Sequence, residues 1–187
     1  MMRFLLICTI FLLFTFSAHS QSLGPSLDKS PMDMSYYPNN YPLLKIQDNI
    51  TGPAVARVIY SRPNKNGRII FGELIEYGKV WRLGANEATE IEFYQNVKIG
   101  STKVKKGTYT MYAIPATDKW TIIVNKETDT WGSFKYDIKK DLLRIDLPVE
   151  KQSEVAESFV MFFDKATNGI SLQIIWDDIK VSLPISL

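Results

Sequence analysis

Three arginines lie close together in the chain, at Arg62, Arg68 and Arg82. The guanidinium group of arginine can hold a carboxylate or a phosphate through two parallel hydrogen bonds. Side chains that suit a saccharide lie among or just after them, at Trp81, Asn86 and Glu87. An indole face can stack on a sugar ring, and amide and carboxylate groups can bond its hydroxyls. These residues predict a site for a polar ligand, with a saccharide or a glycan-like anion as the natural candidate.

A further candidate for stacking lies in a short segment rich in turn residues. Trp131 follows Thr130 and precedes Gly132, and this composition is typical of a loop. Aromatic residues exposed on loops are good candidates for binding, because loops carry function more often than the elements they connect. We therefore add Trp131 to the candidate ligand-binding residues.

The same residues also have a structural interpretation. A crossover between two sheets needs fixed corners, and glycines spaced along this stretch supply the backbone freedom for them. In this interpretation Arg82 pairs with Glu87 inside a corner, and Asn86 bonds the backbone of the turn. Trp81 and Phe71 then belong to the core. Buried aromatic residues and satisfied polar corners are commoner than binding sites, so both interpretations stay open.

Acidic residues offer a catalytic alternative. A glycoside hydrolase needs one protonated and one ionised carboxyl group, roughly 5–10 Å apart. The candidates are Glu73, Glu87, Glu90 and Glu92. Glu90 and Glu92 share one face of a predicted strand, and a solvated strand face explains them more simply. Carboxylate-dependent hydrolysis of glycans is therefore our second hypothesis, after binding without catalysis.

The first 20 residues have the order of a secretory signal peptide: Arg3, then the apolar run Phe4–Phe16, then small residues that end at Ser20. The apolar run is shorter than the about 20 residues that span a bilayer comfortably. Cys8 and His19, the only cysteine and the only histidine, both fall in this leader. We expect cleavage after Ser20 and a periplasmic or extracellular mature protein.

A mature chain without thiol or imidazole lacks several chemistries. It cannot carry a Ser-His-Asp or Cys-His nucleophile, a zinc or copper site built on these ligands, or a disulfide. We expect no cofactor and no metal site. The net charge of +2 gives no attraction to nucleic acid, and no later stretch is apolar enough to span a membrane. The expected partners are a carbohydrate or an envelope protein.

Composition divides the remaining chain in two. Residues 21–53 hold five of the nine prolines, beside Ser, Asn and Tyr, and indicate a linker or an arm that docks on the domain. Residues 54–187 break into short runs of period two, separated by turn residues at intervals of about 8 to 12. They predict one β-sandwich domain, long enough to bury a core without disulfides.

We predict about nine strands in this domain. They are Ala54–Ser61, Glu90–Tyr94, Val97–Ile99, Thr108–Ile114, Trp120–Asn125, Leu142–Leu147, Ser158–Asp164, Ile170–Trp176 and Ile179–Ile185. Helix is expected only as a turn or two, at residues 150–157 and 71–77. Alternation of this kind favours antiparallel sheets with one buried face. The predicted fold class is all-β, a jelly-roll-like antiparallel β-sandwich with at most one or two short helices.

An ordered string of motifs resembles a bacterial family known as domain of unknown function 2911. The motifs are Tyr60–Pro63, Gly67–Arg68, Ile70–Leu74, Tyr77–Arg82, Gly84–Thr89, Lys106–Tyr109, Ile114–Pro115, Trp120–Ile123, Asn125–Lys126, Trp176, Val181 and Pro184. The likeness covers roughly residues 54–185, and the stretch from Gly84 to Glu87 is its most distinctive part. The resemblance implies an exported protein of the bacterial envelope, with no assigned activity.

The first functional hypothesis is thus an envelope domain that binds a polar ligand, such as a glycan, or a partner protein, without catalysis. It assigns the contact to loops around Arg82, Asn86, Glu87 and Trp131. A third hypothesis, after hydrolysis, is a structural interaction protein of the envelope. That role predicts an exposed apolar patch or a bare edge strand.

Overall fold

The structure is a computed structural model, and it describes residues 24–187. Its ten strands are β1 (Met32–Tyr37), β2 (Ala56–Ser61), β3 (Glu90–Phe93), β4 (Val97–Ile99), β5 (Thr102–Val104), β6 (Gly107–Pro115), β7 (Lys119–Asn125), β8 (Asp141–Pro148), β9 (Glu150–Ala166) and β10 (Gly169–Ser186). One short helix, α1 (Tyr41–Ile46), and one 3₁₀ turn, Ile138–Lys140, complete the elements. The predicted leader lies outside the described residues.

The strands form two antiparallel sheets that pack face to face. The six-stranded sheet has the order β1-β2-β3-β6-β7-β8, and the four-stranded sheet has the order β5-β4-β10-β9. This arrangement confirms the predicted all-β sandwich. No helix among the described residues is both long and apolar enough to cross a membrane.

Alternation along each strand builds the core between the sheets. In β3, Ile91 and Phe93 are fully buried, while Glu90 and Glu92 face outward. Each large apolar side chain buried in this way stabilises the fold by about 1.5–3 kcal/mol. At one end of the core the aromatic rings cluster, and Trp81 lies 5.7 Å from Trp120 and 6.1 Å from Trp176, measured between ring centroids.

Several local predictions need correction. Residues 150–157 are the start of the 17-residue strand β9 and not a helical turn, and residues 71–77 contain no helix. The last two predicted strands are one strand, β10, with an irregularity around Asp177 where the register with β9 shifts. Strand β9 is held by its pairing with β10 along most of its length, and such pairing overrides local propensity.

Strand β1 belongs to the stretch that precedes the predicted domain. It pairs antiparallel with β2, from Met32 opposite Ser61 to Tyr37 opposite Ala56. It is therefore an edge strand of the six-stranded sheet. The division of the chain at residues 53 and 54 stays a prediction.

The connection from β2 to β3, residues 62–89, is the crossover segment. Its first part runs along the outer edge of β9, where Lys65 donates its N–H to the carbonyl of Glu157 at 2.7 Å. Its second part returns to the six-stranded sheet and continues the line of β3 beside β6, where Trp81 and Ala113 exchange backbone hydrogen bonds. This path takes the first part of the segment along β9 and its last part along β6.

Candidate functional site

Arg62 lies at the start of the crossover segment, and two of its three guanidinium nitrogens have partners within the protein. Its Nη1 donates to Oδ2 of Asp33 at 2.9 Å, and its Nε donates to the carbonyl of Phe159 at 3.2 Å. Asp33 belongs to β1 and Phe159 to β9, so this guanidinium joins the edge strands of the two sheets. The hydroxyl of Tyr60 also donates to Asp33, at 3.2 Å. Arg62 therefore has a structural role.

Arg68 is used inside its own loop. Its Nε donates to the carbonyl of Lys65 at 3.0 Å, and its Nη2 donates to the carbonyl of Asn64 at 2.5 Å. Asn64 is fixed in turn by the hydroxyl of Ser158, which donates to its side-chain oxygen at 2.5 Å. In residues 62–68, which we call the paired end, each arginine thus bonds its Nε and one terminal nitrogen to acceptors of the protein.

Trp81 anchors the other end of the crossover segment in the core. Its side chain is only 5% exposed, and its Nε1 donates to the carbonyl of Gly84 at 3.0 Å. The ring of Phe71 packs edge-on against it at 6.1 Å. Trp81 and Phe71 are thus core residues, as the structural interpretation predicts.

Residues 82–89, which we call the open end, form a loop whose first and last residues are joined by a hydrogen bond. The N–H of Thr89 donates to the carbonyl of Arg82 at 3.1 Å, and its hydroxyl donates to the carbonyl of Leu83. Leu83 and Asn86 both have left-handed backbones, with φ of 54° and 55°. At Gly84, with φ of 148°, an added Cβ would lie 2.9 Å from the carbonyl oxygen of Ser61. Only glycine fits at this close approach.

The open end is joined to the loop that carries Trp131. Ala88 donates its N–H to the carbonyl of Thr130 at 3.0 Å, and Gly132 donates to the carbonyl of Asn86 at 2.9 Å. These bonds make an isolated antiparallel bridge between Glu87 and Trp131. The structure therefore brings Asn86, Glu87 and Trp131 together, although 44 positions separate Glu87 from Trp131 in the chain.

Beneath these loops, apolar residues cover the outer face of the six-stranded sheet. Ala88, Tyr112 and Ile123 form a second buried cluster, separate from the main core, and the half-buried ring of Tyr136 packs against it. Burial raises the pKa of Tyr136 to about 12, and its hydroxyl donates to Asp141 at 2.6 Å. The cluster gives both loops a fixed base on the sheet.

Two exposed rings project from this base, and we call them the aromatic ledge. Trp131 is 62% exposed and Phe134 is 81% exposed. Their rings stack with centroids 5.8 Å apart and an interplanar angle of 14°. Gly132 makes the stack possible, because a Cβ there would lie 2.8 Å from the ring of Phe134. The other three tryptophans are buried.

Clefts lie on both sides of the aromatic ledge. One, of about 380 Å³, is lined by Trp131 together with three carboxylates, Glu87, Glu90 and Asp129. We call it the acidic cleft. Glu90 accepts the backbone N–H of Asp129 at 2.7 Å, so its carboxylate also fixes the loop. The other cleft, of about 460 Å³, is lined by the aromatic ledge and by Tyr112 and Tyr136.

Arg82 lies apart from both clefts. It lines a smaller pocket of about 170 Å³, with Glu76, Lys79 and Ser133 on the same rim. The predicted pair between Arg82 and Glu87 is absent, since no carboxylate of the described residues lies within 4.0 Å of this guanidinium. Its Nε is buried without an acceptor. Burial without a nearby negative charge lowers the pKa of Arg82.

The seven predicted site residues therefore separate into groups. Asn86, Glu87 and Trp131 meet at the aromatic ledge, and Arg82 has its own pocket. The rest, Arg62, Arg68 and Trp81, donate hydrogen bonds to other parts of the protein and line neither cleft. Sequence reasoning missed Phe134 and Asp129. The signal for Phe134 was its place two residues after Gly132, in the loop already singled out for Trp131.

Residues 24–187 contain no group of three or more acidic, histidine or cysteine side chains placed to hold a metal ion. In the acidic cleft the carboxylates are spread along the wall beside an indole ring. What this arrangement can do is accept hydrogen bonds from a ligand that also stacks on the ring.

Comparison with known families gives one match. The family described as "Protein of unknown function (DUF2911)" matches residues 42–185. No curated protein and no solved structure matches the chain. Because the match covers about three quarters of the sequence, the chain belongs to the DUF2911 family. Strand β1 precedes the matched residues.

Proposed function

We propose that this member of the DUF2911 family binds a neutral saccharide, without catalysis, at the aromatic ledge and in the acidic cleft. The observation that carries the proposal is the exposed, stacked pair of Trp131 and Phe134 beside three carboxylates. Export through the predicted leader, residues 1–20, belongs to the same proposal. It brings the protein to the periplasm or the cell exterior, where saccharides of the envelope are its ligands.

Exposure of the ledge supports a binding role. A soluble domain gains free energy by burying large aromatic side chains, so two exposed and stacked rings on a fixed loop indicate a contact surface. The loop is held by backbone hydrogen bonds to the open end at Asn86 and Ala88. A ring fixed in this way loses little conformational entropy when a ligand stacks on it.

The charges around the ledge indicate which saccharides fit. Glu87, Glu90 and Asp129 line the acidic cleft, and all are hydrogen-bond acceptors. They suit the hydroxyl and amide donors of a neutral sugar and repel an anionic one. Two of the three arginines that suggested an anionic glycan, Arg62 and Arg68, bond to the protein at the paired end, and the third, Arg82, lies outside both clefts. Neutral saccharides are therefore favoured over anionic ones.

Tryptophan fluorescence tests this proposal directly, because Trp131 is the only one of the four tryptophans that is exposed. We expect iodide to quench Trp131 selectively, and neutral oligosaccharides such as chitotriose, cellotriose and maltotriose to protect it. Isothermal titration with the same probes gives the affinity. Trp131→Ala should abolish binding, and Glu87→Gln should weaken it by about tenfold, the loss expected for one hydrogen bond to a charged group.

Tyr77→Ala is the matched control, because Tyr77 is an aromatic residue 42% exposed outside both clefts. It should bind the probes like the wild type. If no neutral oligosaccharide protects Trp131, or if Trp131→Ala binds as well as the wild type, the proposal is wrong. A protein partner captured through Trp131 in place of a sugar would also overturn it and would favour the interaction hypothesis.

A second candidate function, glycan hydrolysis, is favoured by one observation. Glu87 and Glu90 line the same cleft, as a pair of catalytic carboxyl groups would have to do. Incubation of the protein with the three oligosaccharides, followed by an assay for new reducing ends, separates the two candidates. Hydrolysis that disappears in both Glu87→Gln and Glu90→Gln would make the protein an enzyme. We expect no release.

A further inference from the structure

We propose that Arg82 and its pocket form a second binding site, which takes one small oxyanion such as a carboxylate or phosphate group. The described residues include five arginines, and the other four donate hydrogen bonds to carboxylates or carbonyls. Arg82 alone makes no side-chain hydrogen bond and no ion pair within residues 24–187. This site goes beyond the proposed saccharide function and does not depend on it.

Arg57 and Arg82 both have a buried Nε without an acceptor, but the Nη2 of Arg57 pairs with Glu92, whereas Arg82 has no such bond. A buried donor without a partner is costly, and native proteins satisfy nearly all of them. Burial with no compensating charge also lowers the pKa of this guanidinium. An oxyanion bound to the guanidinium in the pocket would supply the negative charge that this half-buried cation lacks.

The pocket has the size and walls for a small group. Its volume is about 170 Å³, and the buried side chain of Trp81 and the half-buried side chain of Ile75 form an apolar wall. An apolar wall strengthens the attraction between a guanidinium and an anion, because it excludes water from one side. Lys79 adds a second positive charge on the rim. These features fit a single carboxylate or phosphate group better than a whole sugar ring.

Ser133 and Glu76 complete the rim. The Ser133 hydroxyl donates to the carbonyl of Val80 at 3.1 Å, so its oxygen is fixed and its proton is used. Glu76 is the one negative charge that lines the pocket, and it lies beyond 4.0 Å from the guanidinium. It is exposed and should compete weakly with a bound anion. Its removal should therefore raise the affinity for anions.

The pocket is separate from the proposed saccharide site. It shares no lining residue with the acidic cleft or with the cleft on the other side of the aromatic ledge. The two sites are neighbours along the chain, since Ser133 lies between Gly132 and Phe134. Variants in one site can therefore leave the other intact.

The test follows the Nε–Hε resonance of Arg82 in the ¹⁵N-labelled full-length protein during titration with acetate or phosphate. Chloride at the same ionic strength is the control for screening. We expect acetate and phosphate, but not chloride, to shift this resonance with saturation. Arg82→Gln should lower the affinity measured by titration calorimetry by about tenfold or more, and Arg82→Lys should restore only part of it, because lysine lacks the planar fork.

Arg68→Gln is the matched control, because it removes another arginine of the crossover segment that is bonded only to carbonyls. It should bind acetate like the wild type, and Glu76→Gln should bind more tightly by a few fold. If acetate and phosphate behave like chloride, or bind only after Glu76→Gln, the proposal is wrong. In the second case Glu76 itself is the carboxylate that serves Arg82. Trp131→Ala should keep full anion binding even if the saccharide proposal fails.

Discussion

The two ends of the crossover segment contain the same kinds of residue and use them differently. At the paired end, Arg62 and Arg68 donate to a carboxylate and to three carbonyls of the protein. At the open end, the side chain of Arg82 has no partner among the described residues, and Glu87 faces solvent. A cluster of arginines in a sequence is therefore not by itself evidence of an anion-binding site. An arginine can bind a ligand fully only where its N–H groups do not already donate to carboxylates or carbonyls of the protein.

The two ends also differ in what fixes their backbones. The paired end lies along β9 and is held by strand-like bonds such as that from Lys65 to Glu157. The open end is a loop with left-handed residues at Leu83 and Asn86. Asparagine adopts this conformation readily, but for leucine it costs of order 1–3 kcal/mol and persists only where the surroundings enforce it. The closure of Arg82 on Thr89 and the bridge to Trp131 provide that enforcement.

The largest expected effect tests how tightly the open end is fixed. A Cβ at Gly84 would meet the carbonyl oxygen of Ser61 at 2.9 Å, and the φ of 148° is one that alanine rarely adopts. We expect Gly84→Ala to lower the free energy of unfolding by about 2–4 kcal/mol. Chemical denaturation measures this loss.

Gly67→Ala at the paired end is the control. Gly67 also has a positive φ, of 70°, but nothing lies within 4 Å of its added Cβ. Only the strain of alanine at a positive φ remains, so we expect the free energy of unfolding to fall by about 1 kcal/mol. Equal losses in the two variants would contradict the close approach at Ser61.

The fold could largely be predicted, because its signal is local. Alternation such as that of Ile91 and Phe93 against Glu90 and Glu92 is visible in the sequence and decides which face is buried. Residues 150–157 carry no such alternation, and most of them are polar. They are a strand because β10 lies beside them, as in the pairing of Ala156 with Asp177. That partner is not a local property, and so this part of β9 was not predicted.

The site could be predicted only in part, for the same physical reason. Composition singled out Trp131, Asn86 and Glu87, but the backbone bridge that joins them is a tertiary contact. The partner of Arg62 is Asp33, in the stretch predicted as a linker or arm. A single sequence gives no sign that this carboxylate reaches the first arginine of the cluster. Whether the guanidinium of an arginine has acceptors within the protein therefore depends on residues distant in the chain, which local sequence patterns do not reveal.

The next expected effect is a loss of stability at alkaline pH that involves Tyr60, whose hydroxyl donates to the same carboxylate, Asp33, as Arg62 of the paired end. Burial, with a further contribution from Asp33, raises the pKa of Tyr60 from 10.0 to about 12. Between these values the unfolded chain loses the proton while the folded protein keeps it, so stability falls as pH rises. Tyr60 contributes about 3 kcal/mol at most to this loss of stability.

Tyr60→Phe tests that contribution. The pKa values of Tyr94 and Tyr136 are also raised to about 12 by burial, so the wild-type slope is a sum of several residues. We expect the variant to show a smaller loss of unfolding free energy between pH 9 and pH 11 than the wild type, in urea titrations at each pH. An unchanged slope would contradict the burial of the Tyr60 hydroxyl.

A smaller change in stability distinguishes Arg62 of the paired end from Arg82 of the open end. Arg62→Gln removes the ion pair with Asp33 and the bond to Phe159. Both charged side chains are more than one third exposed, so screening limits the loss to about 1 kcal/mol. Arg82→Gln removes a half-buried cation whose Nε is buried without an acceptor, so we expect no loss of stability and a gain of up to about 1 kcal/mol. A double-mutant cycle with Asp33→Asn should show coupling for Arg62 and none for Arg82.

The smallest expected change in stability distinguishes the role of the Asn86 backbone conformation from the role of its side chain. Its φ of 55° suits asparagine and glycine but costs alanine roughly 1 kcal/mol. Asn86→Ala should therefore be destabilised by about that amount, while Asn86→Gly should be close to the wild type. If the amide also bonds the saccharide, Asn86→Gly keeps its stability and loses affinity for the oligosaccharide probes. Because glycine keeps the loop conformation and removes the side chain, the comparison of these variants decides whether Asn86 serves the open end as a turn residue or as a ligand contact.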